Sequence, residues 1–402
     1  MQGWPHIRNG EHTLICAPTG SGKTLTSFLS SIDSLTTNSR PQERSHRTRV
    51  LYISPLRALA FDIEKNLRAP LMGIEFAAER LGEPFVVPEV GMRTGDTPSN
   101  DRQKLIRRPP DLLITTPESL YLMCTSAARE TLVGVETVII DEIHAMAATK
   151  RGAHLMLTLE RLEEITEKPP QRIGLSATQR PLEEVAEFLG GFSEPGVKRP
   201  VQIVDAGIRK TLEVEVVIPV EDMSGLGRPT NEAPSSVAGS GMGDSRSSIW
   251  PSIYPEILKR ILANRTTIIF CNARRAAERL AAKLNELAVE EGVPGIVDAE
   301  SGLMVEELVK AHHGSLAREQ RVVIEDQLKR GDLRAIVATS SLELGIAMGA
   351  VDLVIQVESP GAVSRGLQRI GRAGHQVGEP SRGSIFPKHR GDLLEAAVVT
   401  RR

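Results

Sequence analysis

Short runs of apolar and β-branched residues alternate with helix-forming segments along most of the 402 residues. The runs have the length of single strands, and those predicted as strands lie at 12–17, 49–54, 111–116, 135–141, 172–177, 266–271, 333–339 and 351–357. A sequence that alternates strands with helices favours a parallel sheet with helices on both faces. We therefore predict an α/β fold made of two such units of similar size.

The alternation is interrupted by a segment with the composition of a linker. Residues 221–250 contain 14 Gly, Ser or Pro among 30 residues and few apolar anchors, which favours a flexible connection or a surface insertion. The run 212–220 just before it predicts a strand that leads out of the first unit. The predicted domains are therefore 1–210 and 251–402, with a connecting strand and linker over 211–250.

Composition narrows the functional classes only in part. The formal net charge is −2, so nucleic-acid binding would need a local basic groove. Aromatic residues make up 3%, which argues against stacking of many bases and favours contacts with backbone phosphates. The isolated Cys16, Cys124 and Cys271 predict buried thiols rather than a zinc site. No apolar run approaches the roughly 20 residues of a membrane span, and we expect a cytoplasmic protein.

The segment "APTGSGKT" (17–24) lies between a predicted strand and a predicted helix. This context is typical of a P-loop, in which backbone N–H groups and the helix N-terminus hold phosphates. The strict pattern begins with Gly where Ala17 stands, and the alternative is an ordinary glycine-rich turn. The residues predicted to bind nucleotide are Pro18, Thr19, Gly20, Ser21, Gly22, Lys23 and Thr24, with Lys23 on the β- and γ-phosphates and Thr24 on Mg²⁺.

Two adjacent carboxylates end the apolar run of "VETVIIDEIHAM" (135–146). A P-loop requires an acid at the end of a neighbouring strand to hold Mg²⁺, and Asp141 is placed for this role. Glu142 is then predicted to act as the general base on the attacking water. The alternative interpretation of the two adjacent acids is that they form the polar N-terminus of a helix. In "LSAT" (175–178), Ser176 and Thr178 are predicted to hydrogen-bond toward His144.

Further polar motifs follow other predicted strands. The motifs "SPLRALA" (54–60), "RTGD" (93–96) and "TTPESL" (115–120) carry Arg57 and hydroxyls that suit phosphate contacts, although each is also compatible with an ordinary helix cap. In "LQRIGRAGH" (367–375), two arginines three residues apart are predicted to share a helix face. Two interpretations stay open for this motif, a solvated face and an arginine finger for the γ-phosphate.

The order of these motifs resembles that of superfamily 2 helicases and is most similar to the large helicase-related (Lhr) family. The resemblance covers nearly the whole chain and rests on "APTGSGKT", "SPLRALA", "TTPESL", "DEIH", "LSAT", "IIFCNARR", "AHHGSL", "VATSSLELGI" and "QRIGRAGH". It implies two tandem RecA-like (P-loop NTPase) domains, each a mostly parallel sheet flanked by helices. It also implies a helicase that uses ATP and Mg²⁺, with ATP in the cleft between the domains.

The resemblance also implies site residues and partners. Catalytic roles are implied for Lys23, Asp141, Glu142, Gln368, Arg369 and Arg372, the last three completing the site from the second domain. Residues expected near the phosphates of a nucleic-acid strand are Arg57, Thr94, Thr116, Asn272, His313 and Thr339. The expected partners are single-stranded DNA or an RNA–DNA hybrid, with movement 3′ to 5′ and a role in DNA repair.

The chain departs from the family pattern in three places. Ala347 stands where an acid usually links nucleotide state to domain closure. The segment before the P-loop is short, with Gln2 close to Trp4, and relatives continue beyond Arg402 into a winged-helix region. These departures lead us to expect a fragment cut at both ends. They also keep open an ATP-regulated binding module without unwinding. A third alternative, an NTPase unrelated to nucleic acid, leaves the hydroxyl-rich loops unexplained.

Overall fold

The computed structural model describes residues 2–17, 22–177, 181–206, 211–220, 223, 248–294, 296, 306–342, 351–374 and 379–401. The chain divides into two compact units, Met1–Arg209 and Lys210–Arg402. Each unit is a parallel α/β sheet with helices packed against it, as predicted for RecA-like domains. The predicted P-loop residues Pro18, Thr19, Gly20 and Ser21, together with Thr178 and Ala347, lie outside the described residues.

The first unit contains a seven-stranded sheet in the order β3-β4-β2-β5-β6-β1-β9, and all of its described pairings are parallel. Its strands are β1 Thr13–Cys16, β2 Val50–Ile53, β3 Val90–Arg93, β4 Leu112–Thr115, β5 Thr137–Ile140, β6 Gln171–Ser176 and β9 Gln202–Asp205. A separate antiparallel hairpin joins β7 Phe192–Glu194 to β8 Val197–Lys198. The carboxyl ends of parallel strands meet at one edge, which is where loops gather into a site.

The helices of the first unit lie between these strands in the chain, except for α1, which precedes β1. They are α1 Trp4–Arg8, α2 Lys23–Thr37, α3 Arg57–Leu81, α4 Ser99–Arg107, α5 Pro117–Cys124, α6 His144–Ala147, α7 Lys150–Glu163 and α8 Leu182–Gly190. The central strands are buried on both faces, because alternate residues enter different cores. On β2, for example, Leu51 and Ile53 belong to one core cluster and Val50 and Tyr52 to the other.

The second unit contains a six-stranded sheet in the order β10-β15-β14-β11-β13-β12, also parallel in its described pairings. Its strands are β10 Leu212–Val216, β11 Thr267–Phe270, β12 Val309–His312, β13 Ala335–Ala338, β14 Leu353–Val357 and β15 Ser381–Phe386. Its helices are α9 Trp250–Ala263, α10 Arg274–Glu290, α11 Arg318–Arg330, α12 Val363–Ile370 and α13 Arg390–Arg401. Helices α9 and α10 pack their apolar sides into the core of this unit.

Strand β10 corrects the interpretation of the segment after residue 210. The sequence predicted that 212–220 forms a connecting strand that leads out of the first unit. The structure pairs Leu212–Val216 in parallel with β15, so this strand forms an edge of the second sheet. The pairing joins segments about 170 residues apart in sequence, and no local pattern reveals such a partner.

Gly152 marks a close approach between α6 and α7. A Cβ atom at this position would lie 2.1 Å from the carbonyl oxygen of Met146, and backbone cannot move aside cheaply. We expect Gly152→Ala to lower the free energy of unfolding by about 1–3 kcal/mol or more, measured by urea denaturation. Gly73→Ala is the matched control, because Gly73 has nothing within 4 Å and lies inside α3. There we expect a gain of about 0.5–1 kcal/mol; equal effects in the two variants would contradict the prediction.

Two general features of the described residues bear on later sections. None of the helices seen in the described ranges combines the length and apolar character that a bilayer span requires. Cys16, Cys124 and Cys271 are all buried, as the sequence predicted. Burial is the main cause that raises the pKa of Cys124 to about 11 and that of Cys271 to about 12.

Candidate active site

The carboxyl edge of the first sheet brings together residues from three neighbouring strands. Strands β5, β6 and β1 are adjacent in the sheet, and each is followed by a predicted motif. Asp141 and Glu142 follow β5, Ala177 follows β6, and the P-loop segment follows β1. The sheet therefore places motifs that are more than 100 residues apart in sequence at one edge.

Helix α2 begins at Lys23, within the last two residues of the P-loop motif. Gly22 is its N-cap residue and has φ 83°, a left-handed conformation that glycine adopts without steric cost. Lys23 and Thr24 occupy the first turn of the helix, where backbone N–H groups favour anions. Lys23 is 7% exposed, so its ammonium group lies inside the site rather than in bulk solvent.

Glu142 is held between a lysine and a histidine. Its Oε1 lies 3.2 Å from Lys23 Nζ, and its Oε2 lies 3.4 Å from His144 Nε2. Glu142 also has φ 46°, a left-handed conformation that is strained for a residue with a side chain. Strained backbone of this kind persists only where the surrounding structure enforces it. Here the strain turns the chain between β5 and α6 and directs the carboxylate toward Lys23.

His144 connects the acids to the end of β6. The backbone N–H of Ala177 donates to Nδ1 at 3.1 Å, and Ser176 Oγ lies 3.2 Å from the same nitrogen. Because Nδ1 accepts this bond, the ring proton lies on Nε2, which faces Glu142. Burial is the main cause that lowers the pKa of His144; the Glu142 charge acts in the opposite direction, and the Lys23 charge lowers the pKa further. The predicted contact between Ser176 and His144 is confirmed; the contribution of the Ala177 amide was missed.

Asp141 lies deeper in the site and close to a second negative charge. It is 3% exposed, and its Oδ1 accepts the backbone N–H of Glu142 at 2.9 Å. Burial, followed by the charge of Glu142, raises the pKa of Asp141 to about 6, although Lys23 acts in the opposite direction. Two buried carboxylates beside one lysine leave a local deficit of positive charge, which a divalent cation would offset.

The side chains of this site therefore fit Mg²⁺. Magnesium in nucleotide sites is bound by one or two protein oxygen ligands together with phosphates and water. The Asp141 carboxylate and the Thr24 hydroxyl could supply these ligands. The buried hydroxyl of Tyr52, which makes no hydrogen bond, also lies at this site beside Asp141. An unsatisfied polar atom of this kind indicates that the site is built for a further polar group.

The charge on Asp141 is expected to lower stability when no cation is bound. Its pKa rises from 3.8 to about 6 on folding, so the folded state holds an extra proton between these values. Stability therefore falls as pH rises from about 4 to 6 and stays reduced above that range. In EDTA, we expect Asp141→Asn to raise the free energy of unfolding at pH 8 by an amount on the order of 3 kcal/mol. The gain should vanish near pH 4, as measured by urea denaturation at each pH.

The matched control for this prediction is Asp332→Asn, because Asp332 is an exposed residue of the second unit. It should change stability by less than about 0.5 kcal/mol at every pH. A gain from Asp141→Asn that is equal at pH 4 and pH 8 would contradict the assigned pKa.

The nucleic-acid candidates of the first unit lie on the other half of the same edge. Strands β3, β4 and β2 are neighbours; Thr94 follows β3, Thr116 follows β4, and Arg57 begins the helix after β2. Thr94 Oγ1 accepts the amide of Asp96 at 3.3 Å, and Thr116 Oγ1 donates to Ser119 at 3.1 Å. Both threonines are buried, and the Arg57 side chain lies outside the described residues. The structure gathers these positions, while their contact with nucleic acid stays a prediction.

The candidates of the second unit also follow adjacent strands, β11, β13 and β12. Both amide donors of Asn272 are used inside the unit, by Glu358 Oε2 at 3.1 Å and by the Ser359 carbonyl at 2.9 Å. His313 Nε2 lies 2.9 Å from Glu278 Oε1, and Thr339 donates its backbone N–H to His312. Asn272 therefore holds the loop after β14, and phosphate contact by its amide would require these bonds to break.

Arg369 is buried within the second unit rather than displayed on its surface. Its Nη1 donates to Gln356 Oε1 at 2.7 Å and to Asn272 Oδ1 at 3.0 Å, and its guanidinium lies 5.2 Å from the Phe270 ring centroid. The arginine thus ties α12 to the ends of β11 and β14. Its described bonds stabilise the unit.

Arg372 does not share a helix face with Arg369, contrary to the sequence prediction. Helix α12 ends at Ile370, and Arg372 lies in the following turn with its backbone N–H on the Arg369 carbonyl. The chain turns here so that the N–H of Gly374, at φ 91°, can reach the Val351 carbonyl. Gln368 and Arg372 are half-buried.

Glu358 is a functional candidate that the sequence did not single out. Like Glu142, it follows a buried strand and has a positive φ, here 67°. Its carboxylate binds Asn272 and the Lys388 ammonium. Nothing in the sequence indicated the positive φ at Glu358, because a glutamate after an apolar run does not predict left-handed backbone.

The strand order, the helix that begins after Gly22 and the paired acids after β5 define the class as a P-loop NTPase. Residues 1–187 match the DEAD/DEAH box helicase model, and residues 253–376 match the Helicase conserved C-terminal domain model. The chain belongs to the Lhr family of superfamily 2 helicases.

Two similar proteins and one solved structure carry this assignment. The Lhr helicase/probable uracil glycosylase of Mycolicibacterium smegmatis is 52% identical over 99% of this chain, which spans 26% of that protein. The ATP-dependent helicase Lhr-Core of Methanocaldococcus jannaschii is 42% identical over 98% of this chain, which spans 42% of it. A solved structure of Mycobacterium smegmatis helicase Lhr bound to ssDNA and AMP-PNP matches with a TM-score of 0.83 at 52% identity. The match covers 100% of this chain and 47% of the chain in that structure.

Proposed function

We propose that this chain is the motor core of an ATP-dependent helicase. One observation carries the proposal: a series of buried polar contacts runs from Lys23 through Glu142 and His144 to the end of β6 at Ser176. A change at the phosphate that Lys23 binds would therefore alter the contacts at the end of β6, on the same edge of the sheet. Such a connection suits an NTPase that converts hydrolysis into a change of conformation.

The proposed chemistry assigns one role to each residue of this series. Lys23 and the N-terminus of α2 hold the β- and γ-phosphates of ATP, and Glu142 accepts the proton of the attacking water. His144, neutral and with its proton on Nε2, keeps Glu142 oriented. Mg²⁺, held by Asp141 and Thr24, would neutralise charge on the phosphates. Gln368, Arg369 and Arg372 stay predicted participants, with Arg369 positioning the segment around Arg372.

The proposed substrate is single-stranded DNA or the DNA strand of an RNA–DNA hybrid, along which the motor moves 3′ to 5′. The support is the Lhr structure that was solved with ssDNA and AMP-PNP, together with the candidate positions beside β3, β4 and β2. We further propose a role in DNA repair in the cytoplasm.

The test compares ATP hydrolysis without nucleic acid and with single-stranded DNA, RNA or hybrid. It then measures strand displacement on duplexes that carry a 3′ or a 5′ tail. We expect DNA to stimulate hydrolysis, and displacement to require ATP and a 3′ tail. Hydrolysis that is indifferent to every nucleic acid would overturn the proposal and favour an NTPase of another kind.

A second candidate function is an ATP-regulated nucleic-acid-binding module that does not unwind. It is favoured by Ala347, which stands where the family pattern has an acid. This candidate predicts DNA-stimulated hydrolysis without strand displacement. If Ala347 causes the defect, Ala347→Asp should restore displacement; if displacement is already efficient, the second candidate is excluded.

A further inference from the structure

Tyr52 is a buried polar residue that the proposed chemistry does not use. It lies in β2, is 0% exposed and is among the largest fully buried side chains of the described residues. Its ring stacks on Phe28 of α2, with centroids 4.9 Å apart and planes at 19°. Its hydroxyl has no hydrogen-bond partner. A buried hydroxyl without a partner lowers stability, and phenylalanine would give the same packing without one. The hydroxyl therefore calls for a partner in another state of the site.

The register of the sheet points this hydroxyl toward Asp141. Tyr52 is directly opposite Ile139 of β5, and Asp141 is two residues further along the same strand direction. Residues two apart on a strand share a face of the sheet, so the Tyr52 and Asp141 side chains lie on one face. The backbone N–H of Asp141 also bonds the carbonyl of Ile53, the neighbour of Tyr52, at 2.9 Å.

The contact with α2 places the same ring near Thr24. Phe28 and Thr24 are four residues apart on this helix and therefore lie one above the other on the same side. A tyrosine that stacks on Phe28 thus extends toward the first turn of α2. The local electrostatics agree: burial, then the charge of Asp141, raises the pKa of Tyr52 well above its usual value, while Thr24 acts in the opposite direction. A tyrosine hydroxyl is protonated at neutral pH, so Tyr52 can act as an O–H donor.

We propose that Tyr52 is a positioning residue of the nucleotide site, whose hydroxyl donates to Asp141 and fixes that carboxylate relative to Thr24. The proposal rests on the proposed ATPase function. It assigns to Tyr52 no contact with the reacting atoms. Its effect is confined to how well Asp141 and Thr24 are arranged to hold Mg²⁺ together with the phosphates.

The test is Tyr52→Phe, which removes the hydroxyl and keeps the ring on Phe28. The readout is the affinity for a fluorescent ADP analogue, measured by anisotropy in Mg²⁺ and again in EDTA. We expect the variant to bind about tenfold more weakly in Mg²⁺, the loss of a hydrogen bond to a charged group, and equally well in EDTA. The thermal midpoint should stay the same or rise, because an unsatisfied buried hydroxyl is gone.

Tyr121→Phe is the matched control, since Tyr121 lies on α5 and its ring contacts His154 rather than the buried acids. It should bind the analogue like the parent in both buffers. Equal affinity of Tyr52→Phe and the parent in Mg²⁺ would overturn the inference. An equal loss in Mg²⁺ and EDTA would overturn it too, because it would show a general packing defect.

The same experiment separates this inference from the proposed function. If the parent protein fails to bind the analogue in Mg²⁺, the proposed function is wrong. If the parent binds and hydrolyses ATP but Tyr52→Phe keeps its Mg²⁺-dependent affinity, only the role of Tyr52 is wrong. A second readout is steady-state hydrolysis, in which we expect the half-saturating Mg²⁺ concentration to rise about tenfold.

Discussion

Replacement of Glu142 by glutamine is expected to lower kcat for ATP hydrolysis by about 10²- to 10⁴-fold, the usual contribution of a general base. The glutamine amide has the size of the carboxylate, and its oxygen can still accept a hydrogen bond from Lys23, whose Nζ lies 3.2 Å from Glu142 Oε1 in the structure. It cannot take a proton from water. Nucleotide binding should be retained or become tighter, because Lys23 no longer has to leave a negatively charged partner.

The measurement is steady-state hydrolysis with saturating single-stranded DNA, combined with anisotropy titration of a fluorescent nucleotide. Glu136→Gln is the matched control, because Glu136 is exposed at the amino end of the same strand β5. It should keep full activity. If Glu142→Gln hydrolyses ATP within about threefold of the parent, Glu142 is not the general base, since even a weak base contributes more.

Replacement of Lys23 by alanine is expected to weaken nucleotide binding about 10- to 100-fold, the loss expected for charged hydrogen bonds to phosphate. The rate of ATP hydrolysis should fall by at least the same factor as nucleotide binding. The structure adds a second effect on stability. Lys23 is the partner of Glu142 at 7% and 8% side-chain exposure, and an unpaired buried carboxylate costs about 3–5 kcal/mol.

A double variant distinguishes these two effects of Lys23. Adding Glu142→Gln to Lys23→Ala removes the unpaired charge, so the double variant should be more stable than Lys23→Ala alone by thermal unfolding. Nucleotide binding should stay weak in both. Lys168→Ala, at an exposed lysine of the same unit, should change neither property. A double variant no more stable than Lys23→Ala would show that the ion pair with Glu142 is unimportant.

The local motifs of the first unit could be predicted from sequence because each is a contiguous pattern. The strand before Asp141 and the helix after Gly22 lie within one or two residues of their predicted positions. Strands β3, β12 and β15 were missed, because "VGMR", "VKAH" and "SRGSIF" mix glycine, charged and apolar residues. Their strand character comes from pairing with neighbours rather than from their own composition.

The parts of the site that could not be predicted depend on contacts between distant segments. Tyr52 acquires its place from the register of β2 against β5, and the Ala177 amide meets His144 only because β6 lies beside β5. Arg369 illustrates the same limit. Its motif left a solvated face and an arginine finger open, whereas Gln356 and Asn272 bind its guanidinium inside the second unit.

The buried state of the three cysteines has a practical consequence for fluorescence measurements on this chain. The pKa of about 11 for Cys124 and about 12 for Cys271 leaves almost no thiolate at neutral pH, and thiolate is the form that reacts with maleimide dyes. Exposed positions in the two units, such as Lys168→Cys and Glu291→Cys, can therefore carry a donor and an acceptor fluorophore in an otherwise natural chain. Energy transfer between them would then measure whether nucleotide binding changes the separation of the two labels.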